Sequence, residues 1–351
     1  MLSPSPTFYK RFIKPLLFTI PPETAQKYVD SLLKNYSLWK FLYKSPVINQ
    51  NTPEINIDGI KLKNPVGLAA GYDKDCLALQ SLSRMGFGYL TCGTITQTAR
   101  TGNASPRILR YSKSNDLVNS LGFPSKGLSH AIGQLERVQH LRTTTALIAS
   151  ISGITTEEIS NCFQKLQPLC DAIEVNISSP NTEGLRVFQN PATLAELIET
   201  LNHYRNKPLF IKMPPYVPIS PQRSVTALPE QNENVINLAR TCKERGVSAI
   251  TVSNTQPAID AALAVGRGGL SGKSIFANML KMVSELKSEI GNDVHINACG
   301  GIFSASDANQ ALAAGASTVQ FYTGLIYEGP GIVKAILQGL TQSPSNPEEP
   351  H

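Results

Sequence analysis

The residues best suited to chemistry in this sequence are lysines and short polar side chains that directly follow apolar runs of strand length. One run leads into the segment Ala69-Ala70-Gly71-Tyr72-Asp73-Lys74. Small residues there would let a flat ring approach the backbone, and Lys74 would supply a cation beside that ring. A tight turn with a surface lysine is the alternative interpretation.

Two further polar segments stand in the same position relative to a strand-like run. Residues 176–182 read Asn-Ile-Ser-Ser-Pro-Asn-Thr, and residues 253–255 read Ser-Asn-Thr. Such a density of hydrogen-bonding side chains favours a ligand site over a capped turn. Lys212 stands between Ile211 and Met213, so its side chain must either point into such a site or be buried without a partner.

Glycines near the end of the chain predict a phosphate site. Gly300-Gly301 and Tyr322-Thr323-Gly324 follow the last two strand-like runs. In barrels of parallel strands, the backbone N–H groups at those two places bind phosphate together with a helix N-terminus. Gly268 to Gly272 would add further amides. Each glycine pair alone would be an ordinary turn, but their coincidence at adjacent strand ends favours a phosphate group.

Several other classes of chemistry find no support in the sequence. None of the five histidines falls in these polar clusters and no carboxylate pair is evident, which argues against a histidine base or a zinc site. The six cysteines are scattered without a CxxC pair, which predicts free thiols in a reducing compartment. The net charge of +6 is dispersed, and this pattern does not favour nucleic-acid binding. A phosphate-bearing cofactor that itself performs redox chemistry fits the remaining pattern.

Eight strand-like runs, each followed by a segment with helical spacing, would position these residues. Because they are apolar at consecutive positions, they predict strands buried on both faces of a parallel sheet. We therefore predict an α/β fold, a TIM (β/α)8 barrel with a small helical N-terminal extension; a doubly wound sheet is the alternative. The predicted strands are Pro65 to Ala70, Tyr89 to Thr94, Ala146 to Ile151, Ala172 to Ile177, Pro208 to Met213, Ala249 to Ser253, Val294 to Cys299 and Thr318 to Tyr322.

The N-terminal segment differs in character from the barrel. Phe8, Phe12 and Leu16, and later residues 28, 32 and 36, recur at helical spacing, which predicts two short amphipathic helices separated by Pro21-Pro22. They could lie in a membrane interface or cap the barrel, and no apolar run is long enough to span a bilayer. We predict an extension at residues 1–45, a barrel at 46–342 and a disordered tail at 343–351. Tyr216 to Asn234 is predicted to be a long loop on the active-site face.

Two long motifs resemble those of class 2, quinone-dependent and membrane-associated dihydroorotate dehydrogenases. Residues 176–186, from Asn176 to Arg186, resemble the family signature, and residues 64–74, from Asn64 to Lys74, resemble its first-strand motif. Shorter matches extend over nearly the whole chain, including Gly102-Asn103, Pro106-Arg107 and the Pro22-Glu23 region. The class 1 relatives carry a cysteine where this chain has Ser179 and lack an N-terminal extension, so both features favour class 2.

The resemblance implies oxidation of (S)-dihydroorotate to orotate in pyrimidine biosynthesis, with hydride passing to flavin mononucleotide (FMN) and electrons to a membrane quinone. Ser179 would be the catalytic base, with Thr182 and Phe123 shaping a proton path. The residues matching the family's substrate contacts are Lys74, Asn119, Ser120, Leu121, Gly122, Phe123, Asn176, Asn181, Asn254 and Thr255. Those matching its FMN contacts are Ala69, Ala70, Gly71, Thr94, Ser150, Asn176, Lys212, Ser253, Gly272, Gly301, Tyr322 and Thr323.

Several positions depart from the family pattern. Ser150 replaces a usual asparagine, Ser253 a usual threonine and Ser120 a frequent arginine. Gln26 stands where many members have a histidine near the quinone tunnel, whereas Arg110 matches the arginine at the tunnel's inner end. Alternatives are a paralogue that acts on another dihydropyrimidine and a flavin-binding relic without turnover. We expect a peripheral protein on the cytoplasmic face of a bacterial inner membrane, partnered by substrate, quinone and the bilayer surface.

Overall fold

A closed barrel of parallel strands forms the centre of the molecule. The computed structural model describes residues 6–43, 54–178, 185–217 and 229–340. The strands in these ranges are β1 (Ile55–Ile57), β2 (Ile60–Leu62), β3 (Val66–Leu68), β4 (Tyr89–Ile95), β5 (Ile108–Tyr111), β6 (Asp116–Asn119), β7 (Ala146–Ile151), β8 (Ala172–Asn176), β9 (Leu209–Lys212), β10 (Ala249–Val252), β11 (Gln256–Ile259), β12 (Arg267–Gly272), β13 (His295–Cys299) and β14 (Thr318–Phe321). The barrel closes in the order β10-β13-β14-β3-β4-β7-β8-β9.

Helices surround the barrel and precede it. The α-helices are α1 (Pro6–Phe8), α2 (Lys14–Phe18), α3 (Pro22–Lys34), α4 (Tyr36–Leu42), α5 (Leu79–Ser83), α6 (Leu128–Arg137), α7 (Thr156–Leu166), α8 (Pro191–Asn202), α9 (Pro229–Glu244), α10 (Phe276–Ile290), α11 (Ala305–Ala313), α12 (Thr323–Glu328) and α13 (Ile332–Leu340). A π-helical stretch, Tyr9–Ile13, joins α1 to α2, and 3-10 turns lie at Gln139–Thr143, Gln167–Leu169, Leu185–Gln189 and Lys273–Ile275.

The predicted barrel is confirmed, and each of the eight predicted runs coincides with one barrel strand to within two residues at either end. Seven of these strands are buried at every position and β13 at all but its first, because helices cover the outer face and side chains fill the interior. The hairpin of β1 and β2 covers the lower end, where Ile57 and Leu62 pack against Tyr89 and Phe210. The strands therefore open their carboxyl ends toward the other side of the barrel, where functional sites of this architecture lie.

Two predictions were wrong: the number of helices in the extension and the length of the loop after β9. The extension contains three helical segments, because Asn35 leaves the helical conformation and its side chain accepts a hydrogen bond from the Leu38 amide at 3.2 Å, which starts α4. The predicted loop over residues 216–234 is shorter, since α9 already begins at Pro229; a proline is favoured in the first turn of a helix. Residues 218–228 of that loop and the predicted tail, 343–351, lie outside the described residues.

A four-stranded antiparallel sheet, β11-β12-β6-β5, was not predicted. It joins the segment after the second barrel strand to the segment after the sixth, with Gly269 of β12 paired with Asn119 of β6. Gly269 is required there because an added Cβ would lie 1.9 Å from Thr255 Oγ1. This sheet therefore holds residues 116–119 and 267–272 over the mouth of the barrel.

The N-terminal extension is attached to the barrel mouth by charged and aromatic contacts. The Glu23 carboxylate accepts hydrogen bonds from Ser105 Oγ at 3.0 Å, from the Arg107 amide at 3.1 Å and from Arg107 Nε at 2.9 Å. The Tyr9 hydroxyl donates to the Ile326 carbonyl at 2.7 Å, and the Phe18 ring packs edge-on against Tyr327. These contacts place α1 to α3 beside the opening that the antiparallel sheet also borders.

Candidate active site

A deep cleft opens at the carboxyl ends of the barrel strands. Its space, including the solvent at its open mouth, is about 1260 Å³. Its lining includes the following predicted residues: Ala70, Gly71, Lys74, Thr94, Asn119, Leu121, Gly122, Phe123, Asn176, Lys212, Ser253, Asn254, Thr255, Gly272, Gly301, Tyr322 and Thr323.

Three predicted contact residues lie behind the cleft wall instead of lining it. Ala69 is buried, and its amide donates to the Phe321 carbonyl at 3.2 Å. Ser150 is fully buried and shares a 3.2 Å hydrogen bond with Thr94 Oγ1, so it can act only through Thr94. Ser120 is also fully buried, because alternate residues of the extended segment that continues β6 face opposite sides, and its amide donates to the Arg107 carbonyl at 2.8 Å.

Three predicted residues of the family signature, namely Ser179, Asn181 and Thr182, lie outside the described residues. The described residue before them, Ser178, is buried and has a defined role. Its hydroxyl donates to Asn176 Oδ1 at 2.6 Å and accepts from Asn254 Nδ2 at 2.8 Å. Ser178 therefore links the ends of β8 and β10 through hydrogen bonds between side chains.

That link belongs to a longer polar network around the cleft. Asn176 Nδ2 donates to Thr94 Oγ1 at 3.2 Å, and the Thr255 amide donates to Asn254 Oδ1 at 2.8 Å. Each amide side chain thus has its orientation fixed by a neighbour. The network holds polar groups from β4, β8 and the segment after β10 at fixed positions, as a small heterocyclic ligand requires.

The loop after β3 holds Lys74 at the mouth of the cleft. Asp73 anchors this loop, since its two carboxylate oxygens accept from the Leu77 amide at 2.9 Å and the Ala78 amide at 2.8 Å. Burial raises the pKa of Asp73 to about 6, against the effect of those two hydrogen bonds. The Lys74 ammonium donates to the Gly71 carbonyl. Burial lowers the pKa of Lys74 to about 8, and the nearby Asp30 carboxylate partly offsets this.

Lys212 and Gly71 have the features that a cofactor with a flat, anionic ring system needs. Lys212 is 5% exposed and makes no hydrogen bond or ion pair within the described ranges, so its buried side chain lines the cleft without a direct partner. Gly71, at φ +96°, has only the Tyr322 ring edge, 3.8 Å away, near the place of a Cβ, which leaves the space in front of its backbone open to a ring. These residues fit an anionic planar group.

The predicted phosphate site has the expected backbone geometry. Gly301 has φ +71°, and an added Cβ would lie 2.6 Å from Phe276 Cβ, so only glycine fits. Within the part of the chain that the structure describes, neither Gly300 nor Gly301 donates a backbone hydrogen bond. Thr323 begins α12 and its hydroxyl donates to Ser271 Oγ at 3.0 Å. These N–H groups and hydroxyls suit a phosphate.

The sequence did not single out several residues that line the cleft. Ile108, Leu117 and Ser271 come from the antiparallel sheet, whose pairing no local pattern predicted. Cys299 is the last residue of β13 and also lines the cleft. Its position directly before Gly300-Gly301 is the one sequence feature that could have indicated this. Burial raises the pKa of the Cys299 thiol, an effect that the nearby Lys212 opposes. It is therefore a neutral, weakly polar part of the wall.

The two residues predicted for a quinone tunnel occupy different surroundings. Gln26 lines a second, charged cavity between α3 and the barrel, which shares Lys74 with the first cleft. Arg110 instead donates to the Leu17 and Ile20 carbonyls at the end of α2, and its guanidinium lies 4.5 Å from the centre of the Phe18 ring. Arg110 thus connects the sheet strand β5 to the extension.

Comparison with known proteins gives one consistent result. A family model described as "Dihydroorotate dehydrogenase" matches residues 53–343. A protein from Coxiella burnetii (strain Dugway 5J108-111), named dihydroorotate dehydrogenase (quinone), is 34% identical over 354 residues, covering 95% of this chain and 97% of that protein. One of the same name from Herminiimonas arsenicoxydans is 33% identical over 341 residues, covering 94% and 97%.

Solved structures agree with the sequence comparison. The crystal structure of DHODH in complex with ferulenol from Eimeria tenella matches with a TM-score of 0.80 and 29% identity, covering 91% of this chain and 90% of that one. The ligand-free form from the same organism matches with a TM-score of 0.78 and 29% identity, covering 91% and 94%. The similarity therefore extends over most of the chain.

Proposed function

The chain belongs to the dihydroorotate dehydrogenase family, and from that premise we propose that it oxidises (S)-dihydroorotate to orotate in pyrimidine biosynthesis, with a quinone as electron acceptor. The observation that carries the proposal is one cleft lined by a lysine, several oriented amide side chains and a second lysine that has no direct partner among the described residues. Lys74 supplies the charge for a carboxylate, and Asn119 and Asn254 supply donors and acceptors for a cyclic imide. Substrates without a carboxylate would give the Lys74 ammonium no anionic group to bind in the cleft.

FMN is the cofactor that we propose for the deeper part of the cleft. When bound, it accepts a hydride from the substrate and passes the electrons to quinone. Lys212 would lie at the electron-rich edge of its ring system and favour the reduced, anionic form. Gly301, Thr323 and the adjacent backbone amides would hold its phosphate, and Gly71 would let its ring approach the loop after β3.

Ser179 is the base that we propose for the proton leaving the substrate. A serine needs help to act as a base, and we propose that Thr182 and Phe123 shape the path that takes the proton away. Phe123 lines the cleft and has φ +56°, a left-handed conformation that is uncommon for an aromatic residue. Asn254, held by Ser178, would keep the substrate ring in one orientation while the proton leaves.

The extension is the part that we propose meets the bilayer and admits quinone. Its described helices expose large apolar side chains, with Leu16 exposed by 73% and Phe12 by 53%, and Tyr28 and Phe41 lie exposed beyond them. No helix among the described residues is long and apolar enough to cross a membrane. An apolar surface of this kind suits peripheral attachment, which we propose occurs at the cytoplasmic face. Residues 1–45 would form this unit and residues 46–342 the catalytic barrel.

An anaerobic two-step experiment tests the proposal. Dihydroorotate is added to the purified protein while the flavin absorbance is recorded, and ubiquinone or menaquinone is then added. Bleaching followed by recovery is the expected result for both half-reactions. A bound flavin that dihydroorotate does not bleach would refute the substrate assignment and favour a different dihydropyrimidine or a flavin-binding protein without turnover.

A further inference from the structure

The interior of the barrel below the cleft is polar, which is unusual for this architecture. Barrel interiors are mostly filled by branched apolar side chains. Here Thr91, Glu174, Asn297 and Gln320 are all fully buried. Each of the four has at least one side-chain nitrogen or oxygen without a hydrogen-bond partner in the described structure. Because leaving such atoms unpaired is costly, a layer of this kind needs an explanation other than packing.

Glu174 is the ionisable member of this layer. Side chains alternate along a strand, so Glu174 faces the same side of β8 as Asn176, which lines the cleft, but lies one layer deeper. Its Oε2 accepts a hydrogen bond from Thr251 Oγ1 at 2.7 Å, whereas its Oε1 has no partner among the described residues. A single neutral hydroxyl is weak compensation for a buried carboxylate.

The register of the strands places Lys212 on the strand beside Glu174, one layer closer to the cleft. Glu174 pairs with Phe210 of β9, two residues before Lys212, and Thr251 of β10 pairs with Lys212 itself. The Glu174 side chain therefore reaches from β8 to β10 across the inner face of the strand that carries Lys212. From strand spacing and rise, the Cα atoms of Glu174 and Lys212 lie about 8 Å apart. No direct ion pair joins them in the described structure, so the two charges interact at a distance.

Cys299 lies near both Lys212 and Glu174. The thiol lines the cleft, and both the Lys212 ammonium and the Glu174 carboxylate act on its pKa, in opposite directions. A group in the wall of the cleft is thus within reach of both side chains. A flavin in the cleft would lie on the Lys212 side of this pair.

We propose that Glu174 is a positioning residue whose carboxylate, set beneath Lys212, offsets part of the lysine's charge and so lowers the reduction potential of the bound flavin. This inference rests on the proposed function, since it requires the flavin. Reduction adds negative charge at the ring system, and a nearby anion disfavours that addition. Glu174 would thereby make the reduced flavin a better electron donor to quinone.

The test is the midpoint potential of the flavin in purified holoprotein, measured at pH 7 by equilibration with reference dyes. Glu174→Gln keeps the shape of the side chain and removes its charge. The expected result is at least a tenfold rise in the equilibrium constant for two-electron reduction, which is about 30 mV in the positive direction. Thr91→Val is the matched control, because it alters the same buried layer without changing charge and should leave the potential in place.

An unchanged or lower potential in Glu174→Gln would overturn the proposal, because it would mean that the carboxyl group carries no charge or that the flavin does not experience it. Reference dyes replace dihydroorotate in this measurement. A failure of dihydroorotate to bleach the flavin, which would refute the proposed function, is therefore distinguishable from a failure of this inference. A structural role alone would lower stability in both variants without moving the potential.

Discussion

The contact between Glu23 and Arg107 is expected to hold the N-terminal extension on the barrel, and Glu23→Ala should loosen it. Both side chains are about one-fifth exposed, at 22% for Arg107 and 21% for Glu23, so solvent screens the pair only in part. Glu23 accepts three kinds of hydrogen bond, from Ser105 Oγ and from the amide and Nε of Arg107. Hydrogen bonds to charged groups contribute about 1.5–3 kcal/mol each, but they are not additive, so we expect a loss of about 2–3 kcal/mol for the whole contact.

The measurement is hydrogen exchange of the backbone amides of α3, residues Pro22–Lys34, in the folded protein. Exchange through local opening should accelerate by roughly 30- to 140-fold, since each 1.4 kcal/mol corresponds to a factor of ten. Glu289→Gln is the control, because it breaks a more exposed ion pair, between Arg240 of α9 and Glu289 of α10. Unchanged exchange in α3 of Glu23→Ala, with the barrel intact, would refute this account of how the extension is held.

The same contact predicts a dependence on acid. Partial burial tends to raise the pKa of Glu23, but hydrogen bonds from Arg107 and Ser105 outweigh this effect and lower the pKa below its usual value. Its folded-state pKa is therefore below that of the unfolded chain. The stability that this contact contributes is present above the pKa of the unfolded chain, about 4.3, and is lost as the pH falls through the lower pKa of Glu23 in the folded protein. Exchange in α3 of the unsubstituted protein should accelerate in that acidic range, and Glu23→Ala should remove this dependence.

Three further predictions concern the cleft and the exposed face of the extension. Burial lowers the pKa of Lys74 to about 8, so kcat/KM for dihydroorotate should fall as the pH rises above about 8 and the ammonium loses its proton. Lys74→Arg should remove this fall, because the guanidinium keeps its charge. A pH profile that Lys74→Arg leaves unchanged would exclude Lys74 as the carboxylate partner. Gly71→Ala, at φ +96°, should lower the flavin content of the purified protein, because the new methyl group enters the cleft. The control Gly291→Ala, at φ +65° with open space around it, should lose stability without losing flavin. Equal flavin content in the two variants would contradict the proposed placement of the flavin ring. Leu16→Glu should weaken sedimentation with phospholipid vesicles by about tenfold or more, since burial of one leucine contributes roughly 1.5–3 kcal/mol; undiminished binding would remove Leu16 from the membrane face.

The charged cavity beside the cleft gives the extension a second connection to the substrate region. Asp30 of α3 and Lys74 of the barrel both line it. Asp30 supports the charged form of Lys74, while burial raises the pKa of Asp30 itself. The helices proposed to admit quinone therefore also contribute to the electrostatic state of the lysine proposed to bind substrate.

The sequence by itself determined the barrel and most of the residues at its mouth. Parallel strands buried on both faces are apolar at consecutive positions, so each run could be recognised from a few neighbouring residues. The polar residues that follow those runs, such as Lys74, Asn176, Asn254 and Gly301, needed only the rule that the carboxyl ends of barrel strands meet at one face. Whole motifs such as residues 64–74 carried the family resemblance for the same reason, since each is continuous in the chain.

Only the tertiary structure decided which residues meet from distant parts of the chain. The antiparallel sheet pairs Asn119 with Gly269, and Glu23 contacts Arg107 across 84 residues of sequence. Such pairs depend on how the barrel closes and on how the extension docks, and no local pattern encodes either. Glu174 shows this most clearly, because a glutamate within an apolar run indicates only a strand. Strand register alone placed its carboxylate beneath Lys212, since a shift of one residue would have turned it to the opposite face.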